Sequence, residues 1–265
     1  AVPLHFWAPD VYDGSPTPIA GFLSTASKAA GFAVLLRFLL VVYPEISLQW
    51  GAVISALSVA TMTLGNLLAL AQRNIKRMLA YSSVAHAGYA LIGLVAATHP
   101  ETRTFGIASV VFYLFAYVIT NLAAFGVVGA FGRITGSDEI ASYAGLSRRA
   151  PGLSLAMMVA FLSLSGMPPL GGFISKFFIF AAAIQSGMVW LAVIGVLNSI
   201  IGLYYYLTVL KVVYLYRSEE EEKPLPITRS LSFALWVLTF GVVLIGTVFG
   251  PWFGWATSAA RAMGF

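Results

Sequence analysis

Gly166-Met167-Pro168-Pro169-Leu170-Gly171-Gly172-Phe173-Ile174-Ser175-Lys176 interrupts an apolar run that extends from Gly152 to Gln185. The run is much longer than the roughly 20 residues one membrane helix needs. Pro168 and Pro169 remove two amide donors, and Gly166, Gly171 and Gly172 loosen the backbone around them. A break of this kind facing lipid would leave carbonyls without partners. It must therefore be buried in protein or line a hydrated cavity. Discontinuous helices at the membrane midplane are a feature of transporters, and a plain proline kink is the simpler alternative.

Outward from the break, the rest of the chain has the same character. Of 265 residues 59% are hydrophobic and only 9% charged, where a soluble domain carries about 25% charged residues. The chain length therefore sets a number of spans, with room for about seven helices. The fold class expected is an all-α polytopic transmembrane bundle with a Pro-broken helix around Gly166–Gly172. Complete apolar runs cover about 18–43, 48–71, 78–97, 105–131, 152–185, 189–216 and 231–252. Cysteine is absent, which excludes a disulfide framework and thiolate metal sites. His5, His86 and His99 have no metal-ligand spacing. The acidic run Glu219–Glu222 reads as a solvated loop. Ala1–Asp13 is neither a basic n-region nor a signal h-region. The expectation is a processed chain or a piece of a longer protein, and Pro3 beside His5 marks a second break whose first half is missing.

Lysine and arginine set the orientation. Arg73, Lys76, Arg77, Arg133, Arg148, Arg149, Lys211, Arg217, Lys223 and Arg229 fall in loops on one side, and only Arg103 and Arg261 on the other. The richer side is expected to be cytoplasmic, with the C-terminus on the outer side of the membrane. Counting 152–185 as a single span keeps this alternation. The net charge of +5 is thereby accounted for by topology, and no nucleic-acid partner is implied.

Three cations remain inside spans: Lys28, Arg37 and Lys176. Arg37 lies near a span end and can snorkel to the interface. Lys28 lies about ten residues from each end of an unbroken span that contains no acid, and a central lysine costs about 2.5–3.5 kcal/mol to insert. Ser24, Thr25 and Ser27 suit a hydrated, helix-facing surface around it; the competing role is packing, with the ammonium donating to backbone carbonyls. Lys176 follows the break by one to two turns. A helix restarting there would present a positive N-terminal dipole, which together with burial favours the neutral amine. His86 is deep in its run, about 15 Å past Lys76 along a helix; it is either a relay or an ordinary satisfied histidine. Every acid lies in a loop or at its edge. Buried lysines without buried carboxylates need a counter-charge from elsewhere.

Several segments resemble one family. Pro3-Leu4-His5-Phe6-Trp7-Ala8-Pro9-Asp10-Val11-Tyr12-Asp13-Gly14-Ser15-Pro16-Thr17-Pro18 is similar to the segment around the discontinuous seventh helix of the antiporter-like subunits of respiratory complex I, the proton-pumping NADH:quinone oxidoreductase. Asn74–Tyr89 resembles their tenth helix, Gly171-Gly172-Phe173-Ile174-Ser175-Lys176-Phe177 their broken twelfth, and Gly202-Leu203-Tyr204-Tyr205-Tyr206 their thirteenth. The Asp-Val-Tyr form resembles the N branch rather than L or M. The resemblance implies a fourteen-helix fold of two inverted repeats, of which residues 1–265 form a partial antiporter-like membrane domain lacking the N-terminal half. It implies that Lys28 links two half-channels, that Lys176 is the distal lysine of the second, and that His86, Ser82 and Ser83 belong to a hydrophilic axis. His5 and Lys76 are further axis or interface candidates. Pro168, Pro169, Gly171 and Gly172 form the broken-helix element.

The implied function is proton translocation, driven by quinone reduction in other subunits. The chain itself would hold no cofactor and no redox or catalytic centre, with FMN, iron–sulfur clusters and quinone expected in partner subunits. Its partners would be other membrane subunits of complex I, including neighbouring antiporter-like subunits, and the lipid bilayer of a bacterial cytoplasmic membrane. A subunit of a multisubunit cation/proton antiporter is the alternative. A stand-alone secondary transporter is a third, for which the sequence offers no substrate site.

Overall fold

A computed structural model of the chain describes residues 1–42, 46–218 and 223–263. Glu45 and the acidic run Glu219–Glu222 lie outside the described residues. Twelve α-helices are seen among those described: α1 (Trp7–Gly14), α2 (Thr17–Phe22), α3 (Lys28–Arg37), α4 (Ser47–Leu70), α5 (Ile75–Thr98), α6 (Arg103–Thr135), α7 (Leu146–Arg149), α8 (Pro151–Ser165), α9 (Gly171–Gln185), α10 (Val189–Leu215), α11 (Arg229–Thr247) and α12 (Phe249–Ala262). Six helical stretches are long and apolar enough to cross a membrane: Thr17–Val42, Gln49–Leu70, Ile75–Thr98, Pro100–Thr135, Val189–Leu215 and Arg229–Thr247.

α5 and α6 form the centre. Almost every residue of α5 from Ile75 to Thr98 is buried, against α4, α6, α9 and α1. Its start is capped by Asn74, whose side chain accepts from the amides of Lys76 (2.8 Å) and Arg77 (3.1 Å), satisfying two of the donors that a helix N-terminus leaves free. α4 lies close on α5 because Gly88 has no side chain: a Cβ there would stand 2.5 Å from the Met62 amide nitrogen. α6 contacts α2, α8, α9, α11 and α12. Apolar residues such as Val193, Ile200, Phe233 and Phe240 face outward, as expected where the solvent is hydrocarbon or another membrane subunit.

The broken run is one crossing made of two half-helices. α8 meets the middle of α6, where Thr120 and Ser163 hydroxyls are 3.3 Å apart. α9 continues toward the start of α6, where the Phe105 and Phe178 rings are 6.2 Å apart. Progress along α6 in one direction through both halves excludes a hairpin. Gly166 ends α8 in the left-handed conformation (φ 92°), with the Met167 amide donating back to the Leu162 carbonyl at 2.9 Å. α9 restarts beside that end: the Gly172 amide donates to Ser163 Oγ at 2.9 Å, and a Cβ on Gly172 would stand 1.8 Å from the Ser163 carbonyl oxygen.

Three expectations change. The last span ends at Thr247 rather than Trp252, and α12 packs on α6 as a separate helix. An aromatic cluster seats it, with the Phe178 and Phe253 rings 3.9 Å apart and Phe112 5.7 Å from both; apolar composition alone could not separate this helix from a longer span. The Lys28 span is continuous but not regular, because residues Leu23–Ser27 form a π-helical turn immediately before the lysine. Finally, Ser24 and Thr25 are buried while Ser27 is exposed: both buried hydroxyls donate to the Gly21 carbonyl, at 3.0 and 2.8 Å, and Asn121 of α6 donates to Ser24 Oγ.

Candidate functional site

The two lysines are brought to successive points along α5. Lys28 comes from the irregular span, and its Nζ donates to the Ser83 carbonyl (2.6 Å), Ser83 Oγ (2.8 Å) and the Tyr117 hydroxyl (3.1 Å). It also lies 4.2 Å from the Tyr117 ring centroid, within cation–π range. The π-helical turn offsets the register just ahead of Lys28, an irregularity found often at functional sites. The carbonyl contact expected of a packing lysine is present, together with hydroxyls that can exchange a proton.

His86 lies one turn beyond Ser82 and Ser83 on α5, facing α6. Its Nδ1 is 2.6 Å from the Tyr113 hydroxyl, and its ring centroid is 5.0 Å from that of Tyr117. Ser82 is hydrogen-bonded to the Tyr206 hydroxyl. The Tyr12 hydroxyl of α1 is 3.4 Å from Ser83 Oγ. One helical face of α5 therefore carries Ser83 toward Lys28 and His86 toward the second lysine.

Lys176 is buried at 5% exposure. Its Nζ donates to the Ser165 carbonyl at 3.0 Å and lies 4.6 Å from the Tyr89 ring centroid. The sequence had pointed to the N-terminus of the restarting half-helix as its electrostatic neighbour. The ammonium instead reaches back across the break to the last carbonyl of α8, at the negative end of that helix. Between His86 and Lys176 lies a cavity of about 10 Å³ lined also by Tyr113, Tyr117, Thr120, Ser163 and Ser175, room for about one water.

His5 and Lys76 separate from one another. His5 is buried, with its ring 4.5 Å from Phe6. It lines a cavity of about 300 Å³ together with Tyr12, Lys28 and Ser83, and its Nδ1 has no hydrogen-bond partner among the described residues. Lys76 does not reach the axis. Treated as a loop charge from sequence, it is 7% exposed and ion-paired with Asp138 at 2.8 Å, and it donates to the Asp13 carbonyl at the end of α1 (3.1 Å). Arg77 beside it holds Asp10 at 2.8 Å and Asp13 at 3.4 Å. Arg37 is exposed near the end of its span.

Uncharged residues that the sequence did not single out complete the site. Tyr113 and Tyr117 sit in the 105–131 run, where tyrosines are hard to tell from ordinary packing. Asn66, Asn121 and Asn198 are buried, each within an apolar run. An amide inside an apolar run is cheap enough to pass for packing, so the test applied to lysine does not single them out. Chemically the arrangement offers two ammonium groups at either end of a row of hydroxyls and one imidazole. No group of three His, Cys, Asp or Glu that could hold a metal ion occurs among the described residues.

Comparison with known proteins agrees with this architecture. Residues 1–202 match a family model described as "NADH:quinone oxidoreductase/Mrp antiporter, TM". NADH-quinone oxidoreductase subunit N of Heliobacterium modesticaldum is 44% identical over 265 residues, covering 99% of this chain and 55% of that protein. A chain of respiratory complex I from Thermus thermophilus superposes with a TM-score of 0.79 at 36% identity, over 94% of this chain and 53% of that one. A chain of the Mrp complex from Dietzia sp. DQ12-45-1b has the same fold, with a TM-score of 0.87 at 22% identity, over 98% of this chain and 55% of that one. The chain spans about half the length of the relatives it matches. It belongs to the NADH:quinone oxidoreductase/Mrp antiporter family of membrane proteins.

Proposed function

We propose that this chain moves protons across a membrane as part of an antiporter-like subunit of an NADH:quinone oxidoreductase. The observation that carries the proposal is the placement of Lys28 and Lys176 at opposite ends of one buried row through Ser83, Tyr117, His86 and Tyr113. The 44% identity to a subunit N supports it over a cation/proton antiporter, for which the 22% likeness supports the fold alone.

In this proposal Lys28 holds a proton on Nζ against Ser83 and Tyr117, and Lys176 holds one against the Ser165 carbonyl. Transfer between them runs by way of His86, whose imidazole can take a proton on one nitrogen as it gives one up on the other. Two ammonium groups facing one low-dielectric row repel each other, so loading one lysine favours unloading the other. Movement of a charge elsewhere in the assembled complex would drive the cycle. FMN, iron–sulfur clusters and quinone belong to partner subunits in this scheme, and this chain supplies no redox group. The host membrane would be a bacterial cytoplasmic membrane, with the Lys76 end inside and the C-terminus outside, on the ten-to-two loop bias.

The test is Lys176→Ala in the full-length subunit within the assembled complex. Proton pumping by inverted vesicles should fall while the amount of assembled complex stays normal. Unchanged pumping per assembled complex would overturn the assignment.

A further inference from the structure

Lys176 touches a second polar cluster that the row toward Lys28 does not use. The Tyr89 ring, 4.6 Å from Lys176 Nζ, ends in a hydroxyl that accepts from Asn66 Nδ2 at 3.1 Å. Asn66 is 1% exposed, and every polar atom of its side chain is engaged. Its Nδ2 also donates to the Asn198 carbonyl (3.1 Å) and Oδ1 (3.3 Å), and its Oδ1 accepts from the Tyr205 hydroxyl at 3.2 Å. Asn198 Nδ2 in turn donates to Thr63 Oγ1 at 3.2 Å and to the Ile194 carbonyl at 3.0 Å. The cluster joins α4, α5 and α10 at the height of the break.

We infer that Asn66 is a positioning residue for Lys176, acting through Tyr89: the carboxamide anchors the phenol, and the anchored ring holds the ammonium against the end of α8. The inference rests on the assignment of Lys176 to proton transfer. Geometry supports it in three ways. The hydroxyl anchor fixes the long axis of the ring, and its packing edge-on to His86 (5.7 Å) and Phe180 (6.5 Å) in a fully buried position sets which face meets the ammonium. Asn66 is itself fixed from two further sides by Asn198 and Tyr205, so the anchor does not swing. Finally, the carboxamide and both phenols bear no formal charge. The cluster can therefore orient a lysine without becoming its counter-ion and trapping the proton, as a carboxylate at that place would.

A purely structural role, gluing α4 to α10, is the competing outcome, and the experiment separates the two. Asn66→Leu, Tyr89→Phe and the double variant are made in the full-length subunit of the assembled complex, beside Lys176→Ala. Pumping is measured per assembled complex. Asn66→Leu and Tyr89→Phe should each lower pumping about fivefold, the equivalent of one hydrogen bond. The double variant should fall no further than Tyr89→Phe, which removes the hydroxyl that meets both Asn66 and Ser199. Asn66→Gln, which returns the carboxamide, should recover part of the rate. Tyr89→Phe removes one oxygen only and keeps the test open if Asn66→Leu fails to assemble. Normal pumping per complex in Tyr89→Phe, or additive losses in the double variant, would overturn the inference. If Lys176→Ala also pumps normally, the proposed function itself falls; if Lys176→Ala fails to pump while Tyr89→Phe is normal, only the positioning role falls.

Discussion

Lys176 Nζ and the Ser165 carbonyl oxygen are 3.0 Å apart across the break between α8 and α9. The lysine is fixed by the helix it does not belong to. A carbonyl left over at a helix end needs a donor when buried, and a buried ammonium needs acceptors, so each answers the other's requirement.

Gly172→Ala tests how tightly that break is packed. Its Cβ would meet the Ser163 carbonyl at 1.8 Å, a distance that backbone must move to relieve. A destabilisation of about 3 kcal/mol is expected, read as a lower melting temperature of the purified complex and less assembled subunit. Ser163→Ala should cost about 1–2 kcal/mol, since the Gly172 amide loses its acceptor.

At Lys28 the acceptors divide between side chain and backbone. Ser83→Ala removes the 2.8 Å hydroxyl contact and leaves the 2.6 Å carbonyl contact. Lys28→Met removes the ammonium while filling similar space. Pumping per assembled complex should fall about fivefold in the first, the worth of one hydrogen bond, and to the background in the second. Equal rates in the two variants would show that the hydroxyl, not the charge, carries the effect.

His86 and Tyr113 should behave as one unit. Their 2.6 Å contact predicts that His86→Phe and Tyr113→Phe are non-additive in pumping, with a coupling of about 1–2 kcal/mol in a double-mutant cycle. Additive effects would separate Tyr113 from the path.

The Lys76–Asp138 pair is a stability element in this structure rather than a part of the axis. Asp138→Ala leaves Lys76 largely buried with carbonyl partners alone. It should destabilise by about 2 kcal/mol, less than for a fully enclosed pair because the Asp138 side chain is 28% exposed. Pumping per folded complex should be unchanged. By contrast, the exposed Arg77–Asp10 pair should contribute under about 1 kcal/mol and vanish at high salt.

The charged members of the site were legible because a lysine far from any loop is costly in hydrocarbon. Lys28 and Lys176 stood out on that ground alone, and so did the Pro168–Gly172 break, because missing amide donors are visible in the residue names. Tyr113, Tyr117, Asn66 and Asn198 were not, since a phenol or an amide inside an apolar run is cheap enough to be packing. The second helix at the C-terminus was hidden for a related reason: Phe249, Trp252 and Phe253 extend the apolar run past Thr247, and only the packing of Phe249 and Phe253 on Phe112 and Phe178, and of Trp252 on Phe115, sets α12 apart as its own helix.

From sequence, then, came the all-helical membrane class, the crossing made in two halves and the identity of the buried bases. These depend on desolvation cost and backbone chemistry, which are properties of residues and their neighbours along the chain. The tertiary structure decided which acceptor each lysine meets, that Lys76 pairs with Asp138 outside the axis, and that a carboxamide cluster stands behind Lys176. Those outcomes depend on distances between residues far apart in sequence, such as the eleven positions from Ser165 to Lys176 and the 55 from Lys28 to Ser83, which packing alone brings to within a hydrogen bond.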